Sequence, residues 1–248
     1  MSQAQRRLGR GAGPRATATP VSVGRIAVFA PSPILTVTIE AGSDRPEVHV
    51  HAGGQGFWVA RLAARLGAEV VLCCALGGEP GPVLRALIEA ESIELRAATG
   101  ASANGVYIHD RRNGERVEVV SVHPRQLDRH ATDELYGITL SAGLDADVTM
   151  ITGCQPAEIV SPDVYRRLAG DLHANGKLVV ADLTGPPLRA TLEGGVELIR
   201  LSDEELVGEH YATDDSAAEI VAGARLLHTR RSKERARIAR VGFGDSDR

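Results

Sequence analysis

Gly53-Gly54-Gln55-Gly56-Phe57-Trp58-Val59-Ala60-Arg61 is the stretch on which the reading of this chain turns. Two adjacent glycines close an extended segment at residues 47–51, and an amphipathic helix starts at once. Glycine has no Cβ, so the backbone there reaches positive φ and can press directly against a ligand. A helix N-terminus adds free N–H groups that suit a polar or anionic guest. By spacing alone, the stretch reads as a ligand-cradling turn or as a plain tight turn. Trp58 reads as buried helix face or as a stacking platform for a ligand.

Upstream, residues 25–30 and 34–39 are short, β-branched runs bounded by Pro or Gly, and read as a first strand pair. Glu47-Val48-His49-Val50-His51 alternates, as a half-exposed antiparallel strand in a small separate sheet would. It places His49 and His51 on one face, a pair with no third metal ligand nearby in sequence. Downstream come a helix over 59–66 stopped by Gly67, a buried strand over 69–76, a Gly/Pro loop, and a helix to about Ala90. Residues 106–109 and 116–121 flank Arg111-Arg112-Asn113-Gly114, a hairpin signal.

Beyond Pro124 the pattern is helix 133–142, strand 147–152, helix 162–174, strand 177–182, a short helix and strand 197–201. Alternating βαβαβ with continuous apolar strands predicts a parallel sheet covered on both faces. Ser202 or Asp203 caps a further short helix, and residues 214–227 read as another. Residues 229–248 are Arg-rich and read as a basic disordered tail, where a doubly wound sheet would continue with another apolar strand. A sheet stopping near Leu227 would leave an uncovered edge, so poor solubility or self-association is expected.

At 248 residues, one α/β domain over about 24–228 is the default. Residues 1–23 are an Arg/Gly/Ala-rich leader without the apolar core of a secretory signal, and read as disordered. A net charge of −4 gives no global attraction to nucleic acid or anionic membrane. No apolar run reaches the ~18 residues a bilayer requires. Cys73, Cys74 and Cys154 are odd in number, with two adjacent in an apolar strand. This argues against a disulfide framework and points to a reducing, cytoplasmic setting. Cys154 reads as a small packing residue.

The glycine stretch resembles the Gly-Gly-Lys-Gly-x-Asn-Val-Ala-Arg signature of the ribokinase-like (PfkB) carbohydrate kinases. Four further stretches resemble the same family, in its order. They are Leu76-Gly77-Gly78-Glu79-Pro80-Gly81; Thr152-Gly153-Cys154-Gln155-Pro156 with Asp163, Tyr165 and Leu168; Val180-Ala181-Asp182-Leu183-Thr184-Gly185 with Leu188; and Ile199-Arg200-Leu201-Ser202-Asp203-Glu204-Glu205-Leu206. The phosphofructokinase and tagatose-phosphate kinase branch is the most similar. The resemblance implies a Rossmann-like sheet with a small β lid, whose strands fall within about 34–51 and 105–121. It also implies ATP as phosphoryl donor, Mg²⁺ as its counter-ion, a sugar or sugar phosphate as acceptor, and homodimerisation through the lid strands. Phosphoryl transfer requires positioning, cationic charge on the phosphates and a base for the acceptor hydroxyl.

Carried over residue by residue, the resemblance makes Gly53, Gly54, Gln55 and Asn104 substrate-binding. It places Asp182 and Glu205 toward nucleotide and magnesium, with no residue ligating metal directly. Read without the family, Asp182 caps the next turn or walls a site, and Glu205 is a carboxylate in a helix first turn. The chain departs from the family pattern at several polar positions. Gln55 replaces Lys, Trp58 replaces Asn, Thr36 replaces a sugar-holding Asp, and Ser202 replaces Asn. A phosphate-binding Arg is missing beside Asn104, for which Arg111 or Arg112 is a substitute by proximity. The catalytic Gly-Ala-Gly-Asp has only a formal counterpart in Gly242-Phe243-Gly244-Asp245, with Asp245 as base, so the chain reads as C-terminally truncated or frameshifted. Two readings follow: a 1-phosphofructokinase-like kinase, or a sugar- or metabolite-binding member without catalysis.

Overall fold

The structure is a computed structural model that describes residues 24–99 and 102–242, with side chains through residue 229. Its main sheet has six parallel strands in the order β10-β9-β8-β1-β4-β5. These are β1 (Arg25–Phe29), β4 (Glu69–Leu76), β5 (Glu94–Thr99), β8 (Val148–Thr152), β9 (Leu178–Asp182) and β10 (Leu198–Arg200). A second sheet has four strands in the order β3-β2-β6-β7, comprising β2 (Ile34–Glu40), β3 (Glu47–Gly53), β6 (Val106–Asp110) and β7 (Val117–Val122). This is the expected α/β architecture of a doubly wound sheet carrying a small β lid.

Alternation along β1 and β4 explains why helices cover both faces. Ala27, Phe29, Val71, Cys73 and Ala75 enter one core, and Val28, Ala30, Val70, Leu72, Cys74 and Leu76 enter the other. Cys73 and Cys74 therefore point to opposite faces. The first core is roofed by α3 (Arg129–Asp145), α4 (Pro162–Ala174) and α5 (Gly185–Gly194), with Phe29 and Tyr165 in an edge-to-face contact at 5.4 Å. The second is roofed by α1 (Gln55–Arg65) and α2 (Pro80–Glu89), through Phe57, Ala60, Leu84 and Ile88. Asp128 caps α3 by accepting from the Ala131 N–H at 2.8 Å, and Pro162 opens α4 where its missing N–H costs nothing.

Three sequence expectations need correction. β1 and β2 do not pair; β1 lies at the centre of the main sheet and β2 at the centre of the lid. β5 was not anticipated, because Glu94-Leu95-Arg96-Ala97-Ala98-Thr99 carries little β-branched signal. It is held by register with β4. The helix expected over 214–227 is α7 (Ala217–Gly242), which follows α6 (Asp203–Gly208). Among the described residues, no helix is long and apolar enough to cross a membrane.

Candidate functional site

From β1 the chain builds outward on one side through β4 and β5, and on the other through β8, β9 and β10. The order reverses between β1 and β8, and a crevice outside the carboxyl ends of the strands is expected there. A cleft of about 200 Å³ opens at that place. Ser32 and Pro33 after β1, the first residues of α1, Gly153 to Gln155 after β8, Leu183 and Thr184 after β9, and Glu205 of α6 line it.

The start of α1 forms the polar floor. Gly53 ends β3, buried opposite Ile34, and Gly54 is the N-cap of α1 with φ 96, a left-handed conformation that glycine adopts without strain. A Cβ on Gly56 would collide with Ala30 and Thr152, so only glycine lets the helix start press onto the ends of β1 and β8. Trp58 N–H makes the first helical bond, to Gly54 O at 3.2 Å. The N–H groups of Gln55, Gly56 and Phe57 are therefore left without intrahelical acceptors. The other helix starts at the cleft are closed. In α5, Glu209 accepts from the Gly185 N–H at 2.6 Å and Pro186 and Pro187 carry no N–H, while α6 is closed by its own capping box. The exposed Gln55 amide is neutral, so α1 offers its dipole and N–H groups rather than a side-chain cation.

Arg200 brings Asp182 and Glu205 together. Asp182 ends β9 with a side chain only 8% exposed, and its Oδ1 lies 3.3 Å from Arg200 Nη1. The same Nη1 lies 3.4 Å from Glu205 Oε2. Glu205 Oε2 also accepts from the Ser202 N–H at 2.7 Å, while Ser202 Oγ accepts from the Glu205 N–H at 3.1 Å. A guanidinium thus already stands between the two carboxylates expected near magnesium, and one of them also serves as a helix cap. This donor set does not suit a directly ligated Mg²⁺, whereas the floor of free N–H groups suits a phosphate. Among the described residues, no group of three or more His, Cys, Asp or Glu is placed to hold a metal.

Asn104 lines neither the cleft nor the lid cavity. Its buried amide accepts from Gly77 N–H at 2.8 Å and donates to Pro33 O at 3.1 Å and Ala75 O at 3.0 Å. It clamps the loops after β1 and β4 to the approach to β6. Cys154 lies in the cleft wall, where burial pushes its thiol up to about 11. A thiol held protonated at neutral pH fits the packing role expected of it. Asp245 lies outside the described residues.

A second cavity, of about 670 Å³, lies on the inner face of the lid and shares Ile34 with the cleft. Register places Thr36 beside His51 and Tyr107, and Thr38 beside His49 and His109, all on this face. Trp58 is 44% exposed and forms its wall against His51, with ring centroids 5.7 Å apart. It is not buried helix face; Phe57 fills that role. Burial, followed by His109, Arg61, His49 and Arg116, pushes the His51 imidazole below its ordinary range. Burial, followed by Arg116 and Arg111, does the same to His109 against the opposing pull of Glu40.

Sequence reasoning missed Arg200, His109 and Arg116. His109 was legible in principle, since it alternates in phase with Tyr107. Arg200 was not, because its pairing depends on two elements that meet only in the fold.

A family model described as pfkB family carbohydrate kinase matches residues 26–235. Phosphofructokinase-2 from Escherichia coli, in its tetrameric inhibited form, superposes with a TM-score of 0.68 at 20% identity, over 84% of this chain and 71% of that one. The same enzyme in complex with fructose-6-phosphate gives 0.66 at 19% identity, over 83% and 70%. A candidate 1-phosphofructokinase from Thermotoga maritima gives 0.60 at 18% identity, over 71% and 60%. At these identities the likeness to solved structures is one of fold. The family match spans most of the chain, which therefore belongs to the pfkB family of carbohydrate kinases.

Proposed function

We propose that this chain transfers a phosphoryl group from ATP to a hydroxyl of a sugar or sugar phosphate. The observation that carries the reading is the open N-terminus of α1 at the switch point, directly beside the lid cavity. The free N–H groups of Gln55, Gly56 and Phe57 would receive phosphate oxygens as charge shifts during transfer, at fixed positions that need no reorganisation. The lid would hold the acceptor against Trp58 and Thr36 and exclude water. Magnesium, entering with the nucleotide, would neutralise phosphate charge. Asp182 and Glu205 would act on it through water, because Arg200 holds the space between them. Arg200 itself supplies a cation at the rim where the cleft's own floor has none. Asn104 supports the site by fixing its loops.

The test is turnover of ATP–Mg²⁺ by the purified chain against a panel of sugars and sugar phosphates. Acceptor-dependent ADP release that is lost in Asp245→Asn supports a kinase with Asp245 as base. Release that survives Asp245→Asn supports a kinase with another proton acceptor. Ligand binding without any turnover supports the second reading, a non-catalytic binding member. The neutral Gln55 and the guanidinium between Asp182 and Glu205 favour that second reading. The partner we propose is a second copy of this chain, docked through the outer face of the lid. The tetrameric form of E. coli phosphofructokinase-2 gives an example of self-association on this fold.

A further inference from the structure

Arg200 and Asp182 are direct neighbours in the register of β10 on β9, at the carboxyl ends of both strands. Asp182 is buried, and the Thr152 hydroxyl beside it on β8 already donates to Phe29 O at 2.8 Å. Among the described residues, Arg200 is the donor that reaches the Asp182 carboxylate. The same Nη1 also reaches Glu205 Oε2, a carboxylate that lines the cleft. The Arg189 guanidinium is held elsewhere, by Glu209 at 3.1 Å.

The three groups differ in freedom. Asp182 is fixed by burial, and Glu205 by the capping box that opens α6. The Arg200 side chain is 55% exposed, and its two contacts, at 3.3 and 3.4 Å, are longer than the usual N–H···O range. The cation is therefore the movable member and the carboxylates are the fixed ones. Asp203 and Glu204, in the same first turn of α6, add to the negative field. A buried carboxylate left without a counter-ion is costly, so Arg200 can leave only as another cation arrives.

We propose that Arg200 is the resident counter-ion of the Asp182–Glu205 pair and closes it to free divalent cations, so that a cation reaches the pair only together with a polyphosphate that draws the guanidinium away. The phosphate oxygens supply the pull, because a guanidinium binds them in charge-assisted, bidentate bonds. Arg200 is in this sense a positioning residue: it couples the two ligands and favours their joint arrival over that of the metal alone. Only the polyphosphate as releasing ligand rests on the kinase reading; closure of the pair to free cations stands on the geometry.

Mn²⁺ alone is the first probe, titrated without nucleotide and followed by electron paramagnetic resonance. Arg200→Gln is expected to bind Mn²⁺ roughly tenfold tighter than the wild type, and Arg200→Lys, which keeps the charge, to stay closed. Adding Glu205→Gln to Arg200→Gln should remove the gained site, since Gln still completes the capping box. Melting gives a second readout. Arg200→Gln should melt below the wild type and be restored by Mg²⁺, whereas Mg²⁺ alone should leave the wild type unchanged. Equal Mn²⁺ affinity in wild type and Arg200→Gln would overturn the proposal, as would a destabilised variant that Mg²⁺ does not restore. Mn²⁺ bound by the wild type and lost in Glu205→Gln overturns it without recourse to the arginine variants. For the coupling, the Arg200 side-chain nitrogen resonance should shift on adding ADP with Mg²⁺ and stay in place with Mg²⁺ alone. ADP binding without that shift sinks the coupling. Failure to bind ADP at all counts against the kinase reading and leaves the Mn²⁺ result to decide the closure.

Discussion

At the residue scale, Asn104 shows how a family position can be retained for structural work. Its amide satisfies three backbone groups, Pro33 O after β1 and Ala75 O and Gly77 N–H at the end of β4, two of them in bonds formed fully inside the protein. Asn104→Ala would leave those groups buried without partners and should cost about 2–4 kcal/mol in urea unfolding. A cost below ~1 kcal/mol would mean that water replaces the side chain and that the clamp is not structural. Gly54 and Gln55 were legible from the sequence because a positive φ and a helix start have local chemical causes. The partners of Asn104 were not legible, because they lie 27 to 71 residues away along the chain.

At the element scale, α6 is a six-residue helix that depends on its cap. Ser202→Ala removes one side of the Ser202–Glu205 capping box and should cost about 1 kcal/mol in thermal or urea unfolding. An unchanged stability would show that Arg200 alone fixes Glu205. The lid carries a pH dependence whose sign follows from its imidazoles. His51 and His109 are pushed down in the folded protein, mainly by burial, whereas the unfolded chain titrates near the ordinary value of about 6.5. Between those values the unfolded state binds more protons. Their contribution to stability is thus complete above about pH 7 and is lost as pH falls through the folded values. Melting temperature should drop between about pH 7.5 and about pH 5.5. A melting temperature that rises on acidification would reverse this assignment.

At the scale of the whole molecule, the outer face of the lid is the apolar surface that stands out. Register aligns Val37 with Val50 and Ile108, and Ile108 with Val120, while Val48 and Val122 extend the same face. Val48, Val50, Val120 and Val122 are 62%, 46%, 43% and 53% exposed. A contiguous exposed valine face on a thin sheet is the surface through which we propose that a second copy docks. Val50→Lys combined with Val120→Lys should shift the chain from dimer toward monomer in light scattering without unfolding it. A wild-type chain that is monomeric at high micromolar concentration would remove the basis for that docking. β10, with only three residues, leaves Leu198 59% exposed at the sheet edge, which is a second and shorter apolar exposure.

The sequence by itself determined the fold class and the placing of the glycine turn. Both follow from short-range causes: strand alternation, helix caps, and glycines where a side chain would collide. It also determined that strands after Pro124 would be parallel, since continuous apolar runs must be covered on both faces. Tertiary structure decided which strands are neighbours, sending β1 to the main sheet and β2 to the lid although only four residues separate them. It turned Trp58 toward the cavity and Phe57 into the core, a choice that the helical period alone leaves open. It also set Arg200 between Asp182 and Glu205, and gathered three histidines on one face of the lid. Such contacts join residues from separate elements, and their energies exist only once packing has closed the distance.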